Sequence, residues 1–225
     1  MKTLITSGGT CEYIDSVRLM TNVSSGLLGA TIANVFERNL FRDSGQFLDQ
    51  DLTYIHGKKA AMPWRGKCIE AISAQAMYDM LRNLAPRADV IIHCAAISDF
   101  TFVRNSETKL KSSSKEDFIA YMAQTIDYTP KILPMLKQWN PTAYVVSFKF
   151  EVGLTTEQLL DIGAMAIRNG YSDLVVANDK LEMQREQEHV AHIIDTAYAS
   201  TTVRSKCAIA NEIYRRAWTA KGLRA

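Results

Sequence analysis

No apolar run in the sequence approaches the roughly 18–20 residues needed to cross a bilayer, so no membrane-spanning helix is expected. Cysteine is sparse too. Cys11, Cys68, Cys94 and Cys207 stand without C-x-x-C spacing, and the first residues read as a strand rather than a charged-then-apolar leader. Both features predict reduced thiols and a cytoplasmic location. Neither sign of charge prevails: 26 Lys plus Arg face 24 Asp plus Glu. There is no global field to draw in nucleic acid or an anionic membrane, so any anion must be held locally. His56, His93, His189 and His192 lack metal-ligand spacing with cysteine or carboxylate, and no metal ligand is assigned to a protein side chain. The G-x-G-x-x-G fingerprint, the P-loop and the G-x-S-x-G elbow are all missing. No cysteine has an evident histidine partner, so covalent nucleophilic catalysis is unsupported. Repeats and Pro/Gly linkers are absent as well, and one domain is expected over residues 1–225.

What is present is alternation. Short apolar runs at residues 3–6, 52–56, 68–72, 90–95, 144–148 and 174–177 are interleaved with helical periods near 25–38, 74–84, 115–125, 131–138 and 157–169. A polar strand near 189–195 and a helix near 205–218 follow. The pattern predicts an α/β fold with a doubly wound, mostly parallel, Rossmann-like sheet and crossover helices. Two stretches break the rhythm. Residues 39–51 are long for a helix-to-strand connection and read as a surface excursion. Residues 98–114, polar and basic, leave the carboxyl end of a buried strand, where open α/β sheets bind ligands, and read as a flap loop.

The chemistry-bearing residues gather at strand ends. Gly8 and Gly9 follow the first strand, either as a tight turn or as a place where amides approach a phosphate without an intervening Cβ. Ser24, Ser25 and Gly26 open the next helix; a serine there caps the helix, and the first-turn amides can also receive an anion. Between the two turns stand Asp15, Arg18 and Asn22. Ala95 leaves room for a ring or a sugar, and Asp99 could accept from a ribose hydroxyl. Lys109, Lys111 and Lys115 are a solvated run or, over a triphosphate, a source of compensating charge. Phe148 could be core or could stack on a base. Asn178 and Asp179 again lie past a strand end.

These blocks resemble a known family. "TSGGTCEYIDSVRLMTNVSSGLLG", "HCAAISDF", "KLK", "TPKIL", "VVSFKFE" and "LVVAND" occur in the order and approximate spacing of the phosphopantothenate-cysteine ligases of coenzyme A biosynthesis, over residues 3–179. Since no flavin-dependent decarboxylase domain precedes the blocks, the likeness is to the stand-alone bacterial form. It implies that 4'-phosphopantothenate is activated by CTP, with Mg²⁺ on the phosphates, to an acyl-cytidylate that L-cysteine converts to product, releasing pyrophosphate and CMP. By the same likeness Asn22, Arg18 and Lys109 would be catalytic, and Gly8, Gly9, Thr10, Ala95, Asp99, Pro130, Lys131, Ile132, Leu133 and Phe148 would bind the nucleotide. Ser24, Ser25, Gly26 and Asn178 would bind phosphopantothenate, and a homodimer is implied. The flap departs from the family's K-x-K-K, reading K-L-K-S, and Lys131 replaces the usual aspartate. Two lysines of the fused enzymes fall on Ala166 and Gly170, leaving Arg168 as the nearest cation. The competing readings are an NAD(P)-dependent reductase on a similar sheet and a non-catalytic nucleotide-binding relative.

Overall fold

Near-continuous apolar runs must be covered on both faces, and the chain meets that demand by setting such runs side by side between helices. A computed structural model describes residues 1–45, 51–103, 109 and 114–222. In chain order they form β1 (Thr3–Ser7), β2 (Cys11–Tyr13), β3 (Leu19–Thr21), α1 (Leu27–Ser44), β4 (Leu52–His56), β5 (Lys67–Glu70) and α2 (Ala74–Leu84). Next come β6 (Val90–His93), β7 (Phe100–Phe102), α3 (Lys115–Thr125), β8 (Ile126–Tyr128), α4 (Leu133–Trp139) and β9 (Tyr144–Glu151). The chain ends with α5 (Thr156–Arg168), β10 (Leu174–Asp179), α6 (Lys180–Glu186), β11 (Val190–Asp195), β12 (Ser200–Arg204) and α7 (Lys206–Ala220).

The main sheet runs β12-β11-β10-β9-β6-β1-β4-β5. It is parallel from β5 to β10, and β11 and β12 add an antiparallel edge. One face packs on α1 and α7 through Ile5, Phe36, Ile92, Val176 and Ile213. On the other, α2 and α4 cover Leu4, Ile91 and Val145, and α5 covers Val175 and Ala177. After β1 the chain moves outward to β4 and β5, then returns past β1 to β6. The carboxyl ends of β1 and β6 therefore flank the topological switch point, where such sheets leave a crevice. No helix among the described residues is long and apolar enough to cross a membrane.

Several expectations need correction. The helix expected to end at residue 38 continues to Ser44, because the apolar stripe Ile32, Val35, Phe36 and Leu40 goes on facing α7. Much of the supposed excursion at 39–51 is thus helix, ended by Gly45, whose φ of 74° lets its N–H reach the Phe41 carbonyl; residues 46–50 lie outside the described residues. Ser25 is not the cap residue. Gly26 is, and Ser25 offers only a long 3.4 Å acceptor to the Leu27 N–H. The flap region starts as a strand, β7, paired with β8, while 104–108 and 110–113 lie outside the described residues. The strand expected to be polar, β11, is largely buried, because β12 covers its far edge and its polar member, His192, is satisfied by Glu182 at 2.9 Å and Thr202 at 3.1 Å.

Candidate functional site

The ends of β1 and β6 are stitched together beyond the regular sheet. Ala96 N–H donates to the Gly8 carbonyl at 2.8 Å, Thr10 N–H to the Ala96 carbonyl at 3.2 Å, and Ser98 N–H to the Thr10 hydroxyl at 2.9 Å. This seam carries residues 94–98 onto the rim of the crevice. There a cleft of about 360 Å³ opens between the end of β6, the turn before α4, and β9. His93, Ala95, Ser147 and Phe148 lie toward its floor and wall, with Asp99, Pro130 and Lys131 at its mouth. All of the expected nucleotide residues except Gly8, Gly9 and Thr10 line it. The volume falls in the usual range for a small-molecule site.

The mouth is charged and wet. Lys131 Nζ stands 2.5 Å from Asp99 Oδ1, and both side chains are 66% exposed. So exposed a pair contributes little to stability, and a ligand can rearrange it at small cost. The Asn22 amide donates to the Ile97 carbonyl at 2.9 Å, tying the loop after β3 to the rim. Arg18 lies further back, in the turn joining β2 to β3, where its guanidinium meets the buried Asp15 carboxylate at 3.1 Å. Lys109 is exposed, and among the described residues no hydrogen bond or ion pair ties it to the cleft.

At the glycine turns the Cβ positions face other residues of the chain. A Cβ on Gly8 (φ 76°) would come 2.6 Å from the Ala60 Cβ, and one on Gly26 would come 2.8 Å from the same atom. Ala60 therefore sits between the turns, and the Ser7 hydroxyl binds the Gly26 carbonyl at 3.0 Å. The two turns do form one unit, but the space left by their missing Cβ atoms is filled by the residues after β4. Thr10 is fully buried, with its hydroxyl occupied by Ser98, so it presents no side chain to a ligand. Ser24 is half-buried beside the turn and Ser25 is exposed. Asn178 is brought to neither place: it is buried on β10 and gives its amide to the Val190 carbonyl.

Sequence reasoning passed over Ala60, Thr129, Ser147 and Tyr171. Ser147 alone carried a signal, as a polar residue interrupting the apolar run of β9. Burial pushes the His93 imidazole down to about 4 and the Cys94 thiol up to about 12, so both are neutral near pH 7 and Cys94 is no nucleophile. A larger cleft, about 740 Å³, opens between the starts of α5 and α6. Of the residues singled out in the sequence it holds only Asp179. Burial there acts to raise the Asp179 carboxyl, but backbone N–H donors, Leu154, Glu182 and Leu181 among them, outweigh it and hold the group below its ordinary value.

Comparison with known proteins gives a consistent picture. The family model described as "DNA/pantothenate metabolism flavoprotein C-terminal domain" matches residues 1–220. The chain is 30% identical over 191 residues to the coenzyme A biosynthesis bifunctional protein CoaBC of Thermococcus kodakarensis, covering 84% of this chain and 44% of that protein. It is 32% identical over 180 residues to the protein of the same name from Vibrio vulnificus, covering 78% and 40%. The chain thus spans less than half the length of either relative. Among solved structures, the DNA/pantothenate metabolism flavoprotein from Streptococcus pneumoniae superposes with a TM-score of 0.80 at 26% identity, covering 97% of this chain and 99% of that one.

Proposed function

Because this chain belongs to the DNA/pantothenate metabolism flavoprotein C-terminal domain family, we propose that it is the ligase of coenzyme A biosynthesis that joins 4'-phosphopantothenate to L-cysteine. The observation that carries the reading is the cleft at the switch point, which gathers Ala95, Asp99, Pro130, Lys131, Ile132, Leu133 and Phe148 from three separate segments. A nucleotide fits this lining: an aromatic wall for a ring, a carboxylate for sugar hydroxyls, and a lysine for phosphate charge.

The reaction suits a site without a nucleophilic side chain. The substrate carboxylate is ionised at neutral pH and needs no general base. It attacks the α-phosphorus of CTP, and pyrophosphate leaves with the bonding pair. The cysteine amine then attacks the acyl carbon, loses a proton, and CMP leaves. The protein's work is to orient partners and offset charge. Asn22, at the rim, offers its amide to the reacting carbonyl in exchange for the Ile97 carbonyl. Arg18 and Lys109 supply positive charge, and the Gly8–Gly9 and Ser24–Gly26 backbone supplies N–H donors to phosphate oxygens. Mg²⁺ would arrive on the triphosphate and offset its charge. The same reading makes the working form a cytoplasmic homodimer acting on small molecules. The reductase alternative keeps no supporting feature, since the dinucleotide fingerprint is missing and the relatives are coenzyme A proteins.

The test is a nucleotide-by-substrate matrix, CTP against ATP with and without phosphopantothenate and cysteine, read as pyrophosphate release. We expect release with CTP to depend on phosphopantothenate, and amide product to depend on cysteine. Asn22→Asp should slow ligation by orders of magnitude while keeping the wild-type melting temperature. Absence of substrate-dependent pyrophosphate from the wild-type protein would overturn the assignment.

A further inference from the structure

His93 has a built-in orientation that the proposed reaction does not use. It ends β6, is 8% exposed, and lies in register with Thr6 of β1 and Ser147 of β9. These three polar residues form a row across an otherwise apolar sheet, at the level where the cleft begins. A polar row in such a place needs a reason, because buried polar groups are costly unless satisfied.

Hydrogen bonding fixes the imidazole tautomer. The Thr6 hydroxyl oxygen accepts from the Ala95 N–H at 3.2 Å and stands 2.8 Å from His93 Nδ1. Thr6 is fully buried, and among the described residues its hydroxyl proton has no acceptor other than Nδ1. Thr6 therefore donates to Nδ1, and the imidazole proton resides on Nε2. Nε2 has no hydrogen-bond partner among the described residues, and His93 borders the cleft. Burial keeps the ring neutral, so Nε2 stays a one-proton donor across the physiological range.

We propose that His93 is a specificity-determining residue, whose Nε2–H donates to an acceptor atom, a carbonyl oxygen or unprotonated ring nitrogen, on the edge of the nucleobase seated in the cleft. Ala95, two residues on, leaves space above the strand for a flat ring, and Phe148 borders the same space. Ser147 lies beside His93, its hydroxyl 2.7 Å from that of Ser172, and continues the polar floor. The inference rests on the nucleotide reading above and adds to it the group that meets the base.

The experiment uses the full chain with Mg·CTP as probe. Nitrogen-detected imidazole NMR of the wild-type protein should show the Nε2–H tautomer, and the His93 Nε2–H resonance should shift on CTP addition. His93→Leu should weaken CTP about tenfold, the worth of one buried hydrogen bond, while leaving the KM for cysteine unchanged. His93→Gln places an amide N–H near the position of Nε2 and should recover most of the loss. An Nδ1–H tautomer, an Nε2–H resonance unmoved at saturating CTP, or a folded His93→Leu with wild-type CTP affinity would each overturn the proposal. If His93→Leu does not fold, the wild-type resonance decides. A wild-type protein that binds no nucleotide would overturn the proposed function, and the base contact with it.

Discussion

A buried imidazole that stays neutral makes folding depend on pH. His93 is pushed down to about 4 in the folded chain by burial, while in the unfolded chain it titrates near 6.5. Below pH 6.5 the unfolded state takes up a proton that the folded state refuses, so the stabilisation is complete above that value and is lost as pH falls toward 4. By pH 5 the loss is roughly 2 kcal/mol. Urea midpoints at pH 7 and pH 5 check this: wild type should lose stability on acidification, and His93→Gln should lose distinctly less. Equal losses would refute the attribution. The remaining acid sensitivity includes His189, pushed down to about 4 by burial and by Lys206. The sequence places His93 at the end of an apolar run, but nothing in it announces Thr6 as the partner, since the two are 87 positions apart and meet only through strand register. Asp99, from its place past a strand end, and Lys131, by the family likeness, were each expected near the nucleotide, and both line the cleft. Their pairing was not expected, because it depends on how the turn before α4 folds back over β6.

At the scale of elements, legibility followed pattern length. The parallel strands and the long helices announce themselves, since continuous apolar runs and 3.6-residue periods survive any context. The hairpins β2-β3 and β7-β8 do not, because each strand has three residues and shows no alternation to read. The connection after β4 was silent as well, yet it braces both glycine turns. A Cβ on Gly57 would stand 2.0 Å from the Gly9 carbonyl oxygen. That contact is backbone against backbone, so no side-chain rotation relieves it, and the Gly9 segment must shift off its pairing with Ala96. Gly57→Ala should therefore cost about 1–3 kcal/mol, the usual range for overpacking. It should also lower kcat/KM for the nucleotide, because the displaced seam carries the rim of the cleft. A variant with an unchanged melting temperature and unchanged kinetics would show that the segment tolerates the shift.

At the scale of the molecule, the sheet explains why a crevice forms where it does: the order of runs implied a doubly wound sheet, but the strand order that locates the switch point came only from the pairing. Association was not legible from pattern, because it depends on what the fold leaves uncovered. The body of the sheet is well covered, but α3 is not: of its side chains only Thr125 is buried, while Phe118 and Ile119 are exposed. An 11-residue helix that fully buries only one side chain is marginal by itself. The neighbouring hairpins share the condition, with Val17, Val103 and Tyr128 all more than half exposed. We propose that these exposed apolar groups on small appended elements form the contact of the proposed homodimer, covered by a second copy of the chain. Light scattering at tens of micromolar should then give twice the chain mass of 25.2 kDa. Replacing Ile119 and Tyr128 together with glutamate should give a folded monomer, since both side chains point to solvent within one chain and neither contributes to its core. A wild-type monomer, or a glutamate variant that remains dimeric, would move the contact elsewhere or remove it.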